Sequence, residues 1–180
     1  MGESSDAQPA TVEAQPVVND LSEAETRKLY IDLLLHEAGW TVTEQVGKIV
    51  PRQAGIEIEV QGMPNESGMG YADYVLFDAD VTPLAVVEAK RTSVDAVAGR
   101  HQAELYADCL AARYVCPRPV IYYTNGFETN IIDGIGYPSR KVMGFHTIDE
   151  LRRMIAQRGR ADITDLQISD RITNRNYQKR

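Results

Sequence analysis

The most constraining feature of this chain is a pair of β-rich runs in its middle. Tyr71–Phe77 and Leu84–Ala89 are separated by Asp78-Ala79-Asp80, and together they predict a hairpin. The second run opens on Leu84-Ala85-Val86-Val87, which suits a strand buried on both faces, and it ends on Glu88-Ala89-Lys90. Side chains alternate along a strand, so Glu88 and Lys90 share one face while Val87 and Ala89 point to the other. Antiparallel pairing sets the start of one strand opposite the end of the next. Asp73, near the start of the first run, is therefore expected beside Glu88 and Lys90. Charges that end a buried strand more often have a task than charges on a solvated edge.

The flanking segments predict the rest of a domain. Ser22 and Glu25 have capping-box spacing, and Leu29, Leu33, Leu34 and Ala38 follow at helical intervals up to Gly39. This predicts a helix over 23–38. Strands are expected over Thr41–Val46 and Ile56–Val60, with turn chemistry at Pro64–Gly68. Helical spacing resumes from Asp95 to Arg113. A central strand is expected over Pro119–Tyr123 and another over Lys141–Phe145. Thr147 and Glu150 repeat the capping-box spacing ahead of a helix that Gly159 would stop. The order α, several β, α, β, β, α predicts an α/β fold, a mixed sheet flanked by helices. Neither G-x-G-x-x-G nor G-x-x-x-x-G-K-[ST] occurs, so the chain itself is not expected to bind ATP.

Composition sets outer bounds. At 180 residues, one compact domain with tails is expected: 1–20 as a disordered lead-in, 21–160 as the folded unit and 161–180 as a linker. No apolar run is long enough for a bilayer and no secretory leader is visible, so a cytoplasmic protein is expected. Cys109 and Cys116 are read as reduced structural thiols. With His36, His101 and His146 far apart, they do not make zinc-ligand spacing. The net charge of −7 argues against a nonspecific DNA-coating protein. Its acids, however, concentrate in the first 20 residues and the middle, and a metal site needs local carboxylates.

Two carboxylates and a lysine at a strand end fit metal-assisted hydrolysis. Magnesium takes oxygen ligands and keeps several waters, so Asp73 and Glu88 plus a phosphate oxygen would suffice. Lys90 would offset developing negative charge. Gln102 and Tyr106, four apart on the next helix, share a face that passes near the strand end. Spacing alone also allows a plain surface glutamine and a core tyrosine. Glu25 is accounted for by capping, and a role as a third metal carboxylate is the alternative.

Taken together, Ser22-Glu-Ala-Glu-Thr-Arg27, Gly39-Trp40, Gly70-Tyr-Ala-Asp73, Val87-Glu88-Ala-Lys90, Gln102-x-x-x-Tyr106, Tyr123-Thr-Asn-Gly-Phe127 and Arg140–Phe145 resemble the N-terminal nuclease domain of type I restriction enzyme R (HsdR) subunits. The likeness runs over roughly 20 to 180. It implies a restriction-endonuclease-like PD-(D/E)xK fold and cleavage of double-stranded DNA with Mg2+, Mn2+ being a substitute. It implies catalytic Asp73, Glu88, Lys90, Gln102 and Tyr106, and metal ligation by Asp73, Glu88 and Glu25. Ala72 stands where the superfamily name has proline, a departure this group tolerates. Ile172–Gln178 resembles the entry to an ATP-driven motor domain, and no Walker motif follows. ATP is therefore expected to act only through a motor absent from this chain, which would be a fragment or a truncated product. Specificity and methylation subunits are the implied partners, with no membrane. A noncatalytic docking module of the same fold and a related repair or resolvase nuclease are the competing readings.

Overall fold

The computed structural model describes residues 21–158. The expected lead-in over 1–20, the linker over 161–180 and the stop at Gly159 lie outside the described residues.

The first capping box forms: Ser22 Oγ accepts from the Glu25 N–H, and Glu25 Oε2 accepts from the Ser22 N–H. The helix behind it is α1 (Glu23–Thr26), a π-helical turn (Arg27–Ile31) and α2 (Asp32–Glu37). It ends at Gly39, whose φ of +82° is the left-handed stop that glycine adopts without strain. Seven strands follow in one sheet: β1 (Thr41–Val42), β2 (Gln53–Gln61), β3 (Met69–Phe77), β4 (Pro83–Ala89), β5 (Val120–Thr124), β6 (Thr129–Ile132) and β7 (Arg140–Val142). Their spatial order is their chain order. β1 with β2 and β4 with β5 run parallel, and the other neighbours run antiparallel. The sheet is thus mixed, as expected.

The crossover between β4 and β5 is a 3-10 turn (Ala96–Gly99) leading into α3 (Arg100–Tyr114). Asp95 caps it by accepting from the Val97 N–H. The last helix, α4 (Ile148–Gln157), carries the second capping box, Thr147 with Glu150.

Three strand expectations need correction. Thr41–Val46 pairs only over Thr41–Val42, because the chain turns through Gly47 at φ +72° and Gly47 N–H binds back to Ile56. Lys141–Phe145 is ordered as a strand over Arg140–Val142 only. Thr129–Ile132 was not expected as a strand, and it pairs on both sides, with β5 and with β7.

Two apolar clusters hold the layers together. One joins Ile31 and Leu35 of the first helix and Leu151 of α4 to Tyr74, Leu76, Ala85, Val87 and Tyr122. The other joins Ala103, Tyr106, Ala107 and Leu110 of α3 to Val75, Phe77, Val86 and Ile121. The alternation within β4, with Val87 and Ala89 on one face and Val86 on the other, is as read from the sequence. β2 and β3 break it at one place. Ala54 and Ile56 belong to the first cluster, but Ile58 and Val60, of the same parity, belong to the second. Ala72 and Tyr74 divide in the same way. The hairpin therefore exchanges faces between Ile56 and Ile58 on one strand and between Ala72 and Tyr74 on the other. Glu57 sits at the first crossing with φ +47°, a left-handed conformation rare for a non-glycine residue. Asp73 sits at the second.

Candidate active site

The β3–β4 ladder runs from Phe77 back to the Tyr74–Val87 pair. At that point the strands part, and the Ala89 N–H donates to Asp73 Oδ2 at 2.8 Å. This side-chain bond fixes Asp73 against the end of β4. Lys90 follows the strand, its own N–H held by the Thr124 carbonyl. Its Nζ donates to Glu88 Oε1 at 2.8 Å. Asp73, Glu88 and Lys90, predicted to meet, are brought together.

Glu88 is 2% exposed, and its second oxygen, Oε2, is buried with no hydrogen-bond partner. Burial, and then the charge of Asp73, push its pKa up to about 7 against the pull of the Lys90 ammonium. Burial also raises Asp73, while the Ala89 N–H and Arg27 restrain the shift. Burial would depress Lys90, but the hydrogen bond and charge of Glu88, with Glu23 and Asp73 beyond, leave it above its ordinary value. The cluster thus holds more negative charge than one ammonium comfortably offsets.

α3 closes the cluster from its side of the sheet. Gln102 Nε2 donates to the Tyr106 hydroxyl at 2.7 Å, and Gln102 Oε1 lies 3.5 Å from Lys90 Nζ. The helix can come this close because two glycines leave room. A Cβ on Gly99 would stand 3.0 Å from Glu88 Cγ, and one on Gly70 would stand 2.7 Å from the Tyr106 ring. Gly70, three residues before Asp73, thus supplies space for Tyr106.

Glu25 is not brought to this cluster. It is exposed, and its carboxylate is engaged by the Ser22 N–H and hydroxyl. The acid that arrives from the first helix is Glu23, with Oε1 3.9 Å from Lys90 Nζ. The sequence reading also missed Arg27, one turn on from Glu23. Its Nη1 donates to Asp73 Oδ1 and its Nη2 to Glu57 Oε1, each at 3.0 Å. The i, i+4 spacing of Glu23 and Arg27 was the available signal. Among the described residues no group of three or more His, Cys, Asp or Glu side chains stands ready to hold a metal. Asp73 and Glu88 are the pair that could, with Glu23 at the margin. Cys109 and Cys116 are free, half-buried thiols.

A mixed sheet with a carboxylate pair and a lysine where a central hairpin parts defines the restriction-endonuclease-like class. Comparisons with known proteins agree and go further. Residues 47–127 match the family model described as the second domain of the type I restriction enzyme EcoKI endonuclease subunit. The EcoKI endonuclease subunit of Escherichia coli (strain K12) is 38% identical over 97 residues, half of this chain and 8% of that protein. A fragment structure described as an HsdR subunit of a type I restriction enzyme from Vibrio vulnificus YJ016 superposes with a TM-score of 0.57 at 26% identity, covering 77% of this chain and 26% of that one. The domain is thus similar to part of the endonuclease (HsdR) subunits of type I restriction enzymes. The chain spans 8% of the length of its E. coli relative. Among the described residues no helix is long and apolar enough to cross a membrane.

Proposed function

We propose that this chain is the DNA-cutting module of a type I restriction R subunit, a magnesium-dependent endonuclease acting on double-stranded DNA. The observation that carries the reading is Glu88 Oε2, a buried carboxylate oxygen without a partner, beside the half-buried Asp73. Such an atom costs roughly 1–3 kcal/mol unless something binds it. A hard divalent cation fits a site of two carboxylates, since magnesium keeps most of its water and takes one or two protein acids. Asp73 and Glu88 would hold it, and Mn2+ could take its place. When bound, the metal would supply charge for the phosphate oxygens and a more acidic water.

Hydrolysis joins a water oxygen to phosphorus, breaks one P–O ester bond and returns a proton to the leaving alkoxide. Lys90 Nζ, held by Glu88 Oε1 and facing Gln102 Oε1, is positioned to donate to an oxygen that gains negative charge. Tyr106 fixes which end of Gln102 faces the lysine by accepting from its amide nitrogen. Glu88 packs against Gly99, at the end of the 3-10 turn that leads into α3. The sequence to be cut, the ATP-driven motion and the specificity and methylation partners would belong to the remainder of the enzyme.

Calorimetric titration with Mg2+ and Mn2+ tests the reading. Wild type is expected to bind, and Asp73→Asn and Glu88→Gln to lose binding. Equal binding by wild type and both variants would overturn it.

A further inference from the structure

We infer that Arg27 and Glu57 form a clamp that sets the direction of the Asp73 carboxylate, and that both are positioning residues for the cluster. The inference rests on the metal-site reading above and deepens it.

Three separate features converge on Asp73. Arg27 opens the π-helical turn Arg27–Ile31, a wider turn that interrupts the helix and is often found at functional sites. Its guanidinium is a planar fork, able to join two carboxylates at once in a fixed orientation. The two it joins are Asp73 Oδ1 and Glu57 Oε1, at 3.0 Å each. Glu57 in turn is held at φ +47° in the middle of β2. Asparagine, aspartate or glycine would take that conformation more easily than glutamate. Backbone strain of this kind persists when its surroundings impose it, and it gathers at sites where orientation matters.

The arrangement also makes electrostatic sense. Arg27 alone beside Asp73 would repel an incoming cation, and the Glu57 carboxylate balances its charge. The clamp can therefore orient Asp73 without adding net charge to the cluster. With Oδ1 held by Arg27 and Oδ2 by the Ala89 N–H, the Asp73 carboxylate is fixed at both oxygens. Each oxygen keeps a lone pair for a further ligand.

A plainer account makes Glu57 only the residue at which β2 exchanges faces. The substitution Glu57→Gly separates the two. Glycine accepts φ +47° freely, so the strand crossing should survive and the thermal midpoint should stay at or above that of wild type. The clamp is lost, so Mn2+ affinity measured by calorimetry on the whole chain should fall about tenfold. Unchanged affinity, or a lowered midpoint, would overturn the inference. Arg27→Met supplies a readout independent of metal. A crystal structure of this variant should show Asp73 in more than one orientation, with Mn2+ binding also about tenfold weaker. An unmoved Asp73, or binding as tight as wild type, would count against the clamp. If wild type and Asp73→Asn bind Mn2+ equally, the metal-site reading fails instead. The clamp is then judged on the Asp73 orientation in Arg27→Met alone.

Discussion

Among the described residues two carboxylates are almost wholly buried, and they are treated in opposite ways. Asp133, 1% exposed, follows β6. One oxygen accepts from the Ile135 N–H at 2.9 Å and the other from Arg140. Burial would raise its pKa, but those bonds and the Arg140 charge hold it below the ordinary carboxylate range. Glu88, 2% exposed, has one oxygen on Lys90 and one on nothing, and its pKa is pushed up to about 7. The fold satisfies an acid completely where the acid serves the fold. It leaves an acid half satisfied at one place, where a hairpin parts beside a lysine. That difference, rather than burial, is what marks the candidate site.

The comparison breaks most directly on activity. Glu88→Gln and Lys90→Ala are expected to lower Mg2+-dependent plasmid cleavage by on the order of 10²–10³-fold, equivalent to about 4 kcal/mol at the upper end. Both variants should keep the wild-type circular dichroism spectrum. Cleavage at the wild-type rate by either would remove the distinction between the two acids.

Asp133→Ala should give the reverse pattern. Removing one partner of a buried ion pair is costly, and discounting for the partly exposed Arg140 the loss is about 3 kcal/mol of stability. Denaturant unfolding should show it, while Mg2+ affinity of the folded protein stays within twofold of wild type. A changed affinity would mean that the two acids are coupled through β5 and β6.

The pH dependence sharpens the contrast. Glu88 has a higher pKa folded than its ordinary 4.5, so the native state binds its proton more tightly than the unfolded chain. Its contribution to stability is present at acid pH and fades as pH rises to about 7. Glu88→Gln cannot ionise. In the presence of a chelator it should be more stable than wild type at pH 8, by on the order of 2 kcal/mol, with the gain vanishing near pH 4. Asp133, with a lowered pKa, has the opposite sign: its contribution is present near neutrality and lost as pH falls through its folded value. Thermal melts across pH 4–8 would distinguish the two, and a Glu88→Gln gain that is flat with pH would sink the assignment.

Local chemistry made much of this legible in advance. The capping boxes at Ser22 and Thr147 marked two helix starts, and strand alternation set Glu88 and Lys90 on one face. What stayed hidden depends on distant partners. Thr129–Ile132 is a strand because β5 and β7 pair with it from both sides, and four residues between a turn and Asp133 carry too little pattern to announce that. Glu57 and Arg27 meet Asp73 only through the face exchange in β2 and the π turn, neither of which has a sequence signature. The choice between Glu23 and Glu25 was within reach. The capping box that identified the helix already engaged Glu25, and Glu23 was the acid left over.

The smallest expected effect concerns Tyr106, which is buried against Gly70 and whose hydroxyl accepts from Gln102 Nε2 at 2.7 Å. Tyr106→Phe keeps the ring in its place and deletes that acceptor. The Gln102 amide is then free to turn, and its oxygen no longer faces Lys90 by necessity. Losing one neutral hydrogen bond costs about 1 kcal/mol, so cleavage should fall roughly three- to tenfold with little change in stability. Gln102→Ala should lower activity by a similar factor, and the double variant should be no worse than Gln102→Ala alone, because the hydroxyl acts through the amide. Additive losses in that cycle would mean that Tyr106 reaches the substrate by itself rather than through Gln102.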